Sequence, residues 1–375
     1  MPILSVPLSE LRQRTSLKWR TFDEDVLPMW VAEMDVHLPP VVHQVLVDAL
    51  DRGDTGYPHG SAYPEAFAAM AAQRWQLELD ATSQVVRAGD VMSSVLALLE
   101  ATTAPGDTVV INPPVYPPFR TVITSYGRKL QEVPLTTSGR LDLAALEASF
   151  EGSDRPKAYL LCSPHNPTGS VHTAAELTEL MALANQAGVQ VISDEIHARV
   201  VDADVPFVPV VAVPGGEHAL TATSAGKAWN LAGFKAGLII AGSAAVGRLA
   251  KLAPYALEAG GHLAELAHTA ALQSAQQWMD ELNEEIATNK RLFAAELQRR
   301  LPQLHYQPSP ATYLAWLDCT PLGLSDPAAH FRRQGRVAFS AGARFASSHR
   351  NWVRVNLACS PDLVVEAVRR MAASV

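Results

Sequence analysis

Short runs rich in Val, Ile, Leu and Ala recur through the middle of the chain and alternate with amphipathic stretches, an order that points to a largely parallel α/β sheet built from βαβ units. Strands are predicted at Val85 to Ala88, Thr108 to Asn112, Ala158 to Ser163, Val189 to Asp194, Ala219 to Thr223 and Ala236 to Ala241. None alternates strictly between apolar and polar residues, as expected when helices cover both faces of the sheet. Helical patterns fall between them at Val91 to Thr103, Leu141 to Phe150 and Thr173 to Ala187, the last opened by a Thr173 cap with Glu176 three residues on. In such a sheet, ligands gather at the carboxyl ends of the strands.

After Gly260 a long helical stretch through Leu301 is expected to carry the chain from one domain to another. Tyr313 to Leu317, Arg336 to Ala338 and Val353 to Leu357 then read as strands of a smaller α+β unit, closed by a helix from Pro361 to Ala373. The expected organisation is an N-terminal segment (1–45) joining the small domain, a large domain (46–260) and a small C-terminal domain (261–375). A chain of 375 residues with 48% hydrophobic content can bury the cores this requires.

The net charge of −8 is spread along the sequence without a basic run, so nucleic acid is not an expected partner. Cys162, Cys319 and Cys359 are too few and too widely spaced for a disulfide framework, which favours a reducing compartment. Met1 to Arg20 lack the features of a leader, and no apolar run approaches the ~18 residues needed to span a bilayer. A cytoplasmic enzyme is the expectation. The twelve histidines show no metal-ligand spacing, and no metal is expected. The common glycine-rich nucleotide loops, the zinc-protease motif and the serine-hydrolase elbow are all missing from the sequence.

Three short segments carry the chemistry. Asn166-Pro-Thr-Gly169 follows an apolar strand; it is a good turn for local reasons alone, yet its amide could equally donate to a phenolate oxygen. Asp194 ends the next apolar strand, where a carboxylate can cap the following element or hold a pyridine nitrogen protonated. Lys227 lies in Ser224-Ala-Gly-Lys-Ala-Trp-Asn230, hemmed by Trp229, Leu231 and Phe234. A lone lysine on a loop is usually a solvated charge, but one desolvated there has the lowered pKa that imine chemistry needs. Ser224 and Lys235 could bind a phosphate ester, and Gly89-Asp90-Val91 at a helix N-terminus offers backbone amides for the same group.

In this order the segments resemble the cofactor site of fold-type I pyridoxal-phosphate enzymes, the aspartate aminotransferase superfamily. Ser16-Leu-Lys-Trp19, Val26 to Asp35, Pro114 to Phe119, Leu161 to Gly169, Ser193 to His197 and Tyr313 to Asp318 are similar to the MalY/PatB group of cysteine-S-conjugate β-lyases, which includes cystathionine β-lyases. The resemblance implies a large domain with a mostly parallel sheet and a smaller α+β domain. It implies that Lys227 forms the imine with the cofactor and acts as the catalytic base, that Asp194 pairs with the pyridine nitrogen, that Asn166 meets the phenolic oxygen and that Tyr116 stacks on the ring. Arg354 would clamp the substrate carboxylate, with Ala32, Tyr116 and Asn166 beside it. Gly89, Asp90, Val91, Ser224 and Lys235 would surround the phosphate, joined by Tyr57 reaching from the neighbouring subunit of a homodimer. His197 would lie near the ring, its role open. Asp90, a carboxylate close to a phosphate, departs from the usual apolar residue, as Glu33 and Ala311 depart at their positions.

The implied reaction is α,β-elimination, which leaves a thiol, pyruvate and ammonia. An aminotransferase would use the same residues, and a regulatory protein that retains the fold would act through a partner surface instead.

Overall fold

The structure, a computed structural model, describes residues 2–375. Its strands are β1 (Leu27–Pro28), β2 (Val85–Ala88), β3 (Thr108–Ile111), β4 (Lys129–Glu132), β5 (Ala158–Cys162), β6 (Gln190–Asp194), β7 (Leu220–Thr223), β8 (Gly237–Ala241), β9 (Leu314–Asp318), β10 (Val337–Ala338), β11 (Ser340–Ala341) and β12 (Trp352–Asn356). Seven form the main sheet in the order β2-β8-β7-β6-β5-β3-β4. β4, β3, β5, β6 and β7 run parallel, whereas β8 is antiparallel to both of its neighbours, β7 and β2. All six strands expected of this sheet are present. The unexpected one is β4, whose sequence Lys-Leu-Gln-Glu forms no apolar run because it lies at an edge with both end residues exposed.

Helices cover both faces, which explains why the central strands are buried almost throughout and show no strict alternation. Val109, Ile111, Leu160, Ile192 and Ile239 point to the side of helices Val91–Thr102 and Pro118–Ser125. Val110, Tyr159, Leu161 and Val191 point the opposite way, toward Leu143–Glu151 and Ala174–Ala187. Leu238 and Ile240 pack with residues of helices Ala62–Trp75 and His262–Ser274. The Thr173 cap is present: its hydroxyl accepts from the Glu176 amide and the Glu176 carboxylate accepts in return. Gly188 at φ 69° ends that helix in the left-handed conformation.

The helical stretch after Gly260 is two helices, His262–Ser274 and Gln276–Arg300, divided at Ala275 (φ −117°, ψ 27°). The Ala275 carbonyl accepts both from the Met279 amide at 3.2 Å and from Trp229 Nε1 at 2.9 Å. The first of these helices packs with Pro40–Asp51, which runs across residue 45, and with Ala62–Trp75. The second leads to the antiparallel sheet β11-β12-β9 and its covering helix Pro361–Ala372. Val6, Leu11, Trp19, Leu27 and Met29 join that same core, and β1 pairs in parallel with β10. Residues of the amino terminus thus share one core with the strands and helices that follow Phe293, whereas helix His262–Ser274 packs in the core of Ala62–Trp75.

A fully buried ion pair fixes the segment between them. Lys18 Nζ lies 2.7 Å from Asp35 Oδ2, with the side chains 1% and 2% exposed, and Trp19 Nε1 donates to Asp35 at 3.1 Å. Asn356 of β12 donates to the carbonyls of Val31 and Glu33, both at 2.7 Å. These contacts suspend residues 31–34 over the carboxyl ends of the main sheet. Among the described residues no helix is long and apolar enough to cross a membrane, and no His, Cys, Asp and Glu cluster could hold a metal ion.

Candidate active site

The carboxyl ends of β2, β3, β5, β6 and β7 open onto one cavity of ≈ 280 Å³, roofed by Val31, Ala32 and Arg354 from the smaller unit. Each parallel strand ends in a turn that turns one polar residue inward, the arrangement expected at the ligand-bearing edge of such a sheet.

Lys227 follows β7. Its Nζ donates to the Ala32 carbonyl at 2.8 Å, which ties the strand-end loop to the roof. Burial, and then the charge of Arg354, push its pKa down to about 8, against the upward pull of Asp194. Leu231 and Phe234 line the cavity with it, but Trp229 does not: the indole turns into the core beneath helix His262–Ser274. Asp194, at the end of β6 and in register with Cys162 of β5, is buried in the wall, and burial pushes its carboxyl up to about 7 although the Ile196 amide opposes this. Its neighbour Glu195 turns away and accepts from Ser193 Oγ at 3.0 Å and the Val210 amide at 2.9 Å, a structural tie rather than a cavity group.

Asn166 sits in the loop after β5. Gly169 closes the turn at φ +70°, where a Cβ would stand 2.6 Å from Ser309 Cβ, so local turn chemistry and site placement share the same tetrapeptide. Asn166 Oδ1 accepts from Arg354 Nη1 at 3.0 Å, leaving its amide nitrogen free. Arg354, on β12, also donates from Nη2 to the Trp30 carbonyl at 3.0 Å, and burial pulls its pKa down to about 10. Tyr116 borders the cavity after β3, its hydroxyl pKa raised by burial and then by Asp194.

At the far end, helix Val91–Thr102 points its N-terminus at the cavity. Asp90 is its cap: Oδ1 accepts from the Ser93 amide at 2.8 Å, and Oδ2 lies 2.9 Å from Lys235 Nζ. Burial would raise this carboxyl, but the Ser93 amide and then Lys235 hold it below its usual value. The Asp90 side chain thus serves the helix and a lysine, while Asp90 and Val91 line the cavity end. Ser224 Oγ donates to the Ala236 carbonyl at 2.7 Å and accepts from the Gly226 amide. Gly89 does not line the cavity; a Cβ there would stand 2.8 Å from Ala259 Cβ. Tyr57 lies outside it on a loop, 98% exposed.

His197 lines the wall edge-on to Tyr313, ring centroids 6.2 Å apart. Burial, then the charges of Lys227 and Arg354, push its pKa down to about 3, so the imidazole is neutral. Among the described residues, His197 Nδ1 and Arg354 Nε are buried without a hydrogen-bond partner. Sequence reasoning missed the Trp30 carbonyl, Cys162, Met92 and Val31 as parts of this site. Trp30 and Val31 had a signal in the segment Val26 to Asp35, and Cys162 in Leu161 to Gly169; Met92 had none.

An amine of lowered pKa, a buried carboxylate, an amide, a guanidinium and a helix N-terminus with a lysine form a donor set that fits a flat pyridine aldehyde bearing a phosphate. The comparisons agree with that chemistry. The family model described as aminotransferase class I and II matches residues 24–371. A Mycobacterium leprae protein provisionally named a cystathionine β-lyase is 43% identical, covering 99% of this chain and 97% of its own. The cystathionine β-lyase of Corynebacterium glutamicum is 31% identical, covering 97% of this chain and 98% of its own. A solved Corynebacterium diphtheriae protein, provisionally described as a PLP-dependent β-cystathionase, superimposes with a TM-score of 0.94 at 29% identity, covering 100% of this chain and 98% of its own. The chain belongs to the class I and II aminotransferase family.

Proposed function

We propose that this chain is a pyridoxal-phosphate-dependent carbon–sulfur β-lyase that acts on L-cystathionine or a related cysteine S-conjugate and releases a thiol, pyruvate and ammonia. The observation that carries the reading is the convergence of Lys227, Asp194 and Arg354 on one cavity, in a chain whose near relatives are named cystathionine β-lyases.

When bound, pyridoxal phosphate supplies an electron sink for the pair left on Cα after proton removal. The chain's own residues do the rest. Lys227 would hold the cofactor, and its free amine would take the Cα proton, a task suited to an amine with a pKa of about 8. Asp194 keeps the pyridine nitrogen protonated. Asn166, with its carbonyl oxygen engaged by Arg354, presents its NH₂ to the phenolic oxygen. Tyr116 covers the ring. Val91 at the helix N-terminus, with Lys235 and Ser224, receives the phosphate. Arg354 clamps the substrate carboxylate, a bidentate task that suits a planar guanidinium. The thiol leaves readily because its pKa of about 8.5 demands little protonation near neutrality.

Two further parts of the proposal rest on the surface and the cysteines. Tyr57 and Tyr255, 98% and 82% exposed, are large aromatics suited to a homodimer interface, where Tyr57 would reach the partner's phosphate site. Cys162, Cys319 and Cys359 are buried and unpaired, which suits the cytoplasm.

The test is incubation of the holoenzyme with L-cystathionine in the absence of any keto acid. Pyruvate and free thiol support the lyase; turnover that depends strictly on a keto-acid acceptor would make the chain an aminotransferase.

A further inference from the structure

Phe345 touches both halves of the cavity without lining it. Its ring lies beneath the Arg354 guanidinium, 4.9 Å from centroid to the central carbon, while its backbone carbonyl accepts from the Val115 amide at 3.2 Å and from Arg120 Nη1 at 2.8 Å. Val115 is the residue before Tyr116, and Arg120 lies one turn into the helix Pro118–Ser125 that follows it. Arg120 is itself anchored to Glu132 of β4, Nε to Oε1 at 2.6 Å. One buried residue of the smaller unit thus bears the carboxylate clamp on its side chain and the Tyr116 loop on its main chain.

The surroundings leave Phe345 little freedom. Trp316 meets its ring edge-on at 5.3 Å, and Trp316 stacks in turn on Trp352. Gly342, which opens the turn leading to it, has no room for a side chain, since a Cβ would stand 2.6 Å from the Trp352 carbonyl. A guanidinium over a ring in a buried setting is attracted to the ring face, so the position of one fixes the other.

We propose that Phe345 is a positioning residue that couples Arg354 to the Tyr116 loop, so that a carboxylate drawn onto Arg354 also seats Tyr116. The inference rests on the role given to Arg354 under the proposed function. It concerns ligand seating and is indifferent to whether elimination or transamination follows.

The experiment measures binding of an α-methyl amino acid, which has no Cα proton to lose, by the shift it causes in the visible absorbance of the holoenzyme. The α-carboxamide of the same compound is the counter-probe. Wild type is expected to prefer the acid. Phe345→Leu is expected to weaken binding of the acid about tenfold and of the amide less than twofold, and Phe345→Tyr is expected to restore the preference. Arg120→Ala, which removes one of the two donors to the Phe345 carbonyl together with the tie to Glu132, is expected to weaken the acid about threefold, with no further loss when combined with Phe345→Leu. Equal weakening of acid and amide, failure of Phe345→Tyr to restore the preference, or independent effects of the two substitutions would each overturn the coupling. Should Phe345→Leu fail to fold, Arg120→Ala decides alone: an unchanged acid preference sinks the idea. Pyruvate release from cystathionine is scored separately, so loss of the lyase reading and loss of this coupling give different results.

Discussion

Lys235 Nζ lies 2.9 Å from Asp90 Oδ2, so the cation best placed to meet a phosphate is held by a carboxylate that caps the helix facing the same phosphate. Asp90→Asn keeps the cap, because Asn and Asp cap equally well, and removes the charge. Pyridoxal phosphate is expected to bind the cofactor-free variant about two- to fivefold more tightly, the size of one partly exposed charge at a helix terminus. Titration followed by tryptophan fluorescence measures this. Weaker binding would mean instead that Asp90 seats Lys235 for the phosphate. Asp90→Ala, which also loses the cap, is expected to cost about 1 kcal/mol in urea unfolding.

Capture of the cofactor by Lys227 needs the neutral amine. With its pKa pushed down to about 8, the rate of capture by the cofactor-free protein is expected to rise with pH and reach half its plateau near pH 8, well below the midpoint of an ordinary lysine. Arg354→Gln removes the largest charge acting on it and is expected to move that midpoint upward. Stopped-flow absorbance reads both. Lys227→Ala is expected to lose the visible band and to lower elimination by about 10²–10⁴-fold, the usual contribution of a positioned base.

Burial of Asp194 costs the cofactor-free fold stability near neutral pH. Burial raises its pKa from 3.8 to about 7, so the folded chain retains a proton that the unfolded chain has released. Its contribution to stability is fullest below about pH 4 and declines as pH rises toward 7. In Asp194→Asn the cofactor-free protein is expected to be more stable at pH 8 by on the order of 1–3 kcal/mol and to show a flatter stability profile between pH 4 and 7. Elimination is expected to fall about 100-fold or more, since no carboxylate remains for the pyridine nitrogen. Urea unfolding across pH, beside pyruvate release, checks the two together.

Lys18 and Asp35 carry the roof. Burial raises the Asp35 carboxyl and Lys18 opposes this, so removing either partner strands a charge inside the protein. Lys18→Met is expected to destabilise by about 3–5 kcal/mol, and Lys18→Met combined with Asp35→Leu to recover much of it. If the single substitution costs less than about 1 kcal/mol in urea unfolding, the pair is not what holds residues 31–34 in place.

The sheet and the floor of the site could be read from the chain because each feature is local. Strands β5, β6 and β7 are built on short apolar runs, and Asn166, Asp194 and Lys227 follow or end them, so the run that makes the strand also places the polar residue. Features that depend on distant partners left no such trace. The two-residue strand Leu27–Pro28 exists by pairing across the sequence with Val337–Ala338, a strand that the sequence does mark. The break at Ala275, beside the Trp229 indole that donates to its carbonyl, is not marked by anything in the helical period. Phe345 beneath Arg354 is a cross-loop contact between residues with no shared spacing. Trp229, placed by proximity in sequence beside Lys227, turns the other way because a helical turn sends alternate residues to opposite sides.

The polar edge strand β4 bears on how copies of the chain can meet. Lys129 and Glu132 present charged side chains along its open rim, with Arg120 folded against Glu132, while β2 at the opposite rim lies against the helices Ala62–Trp75 and Pro254–Leu257. Neither rim offers the flat, uncharged backbone that another strand could join. Propagating assembly by sheet continuation is therefore disfavoured at both ends, and a second copy would have to meet this chain through side chains.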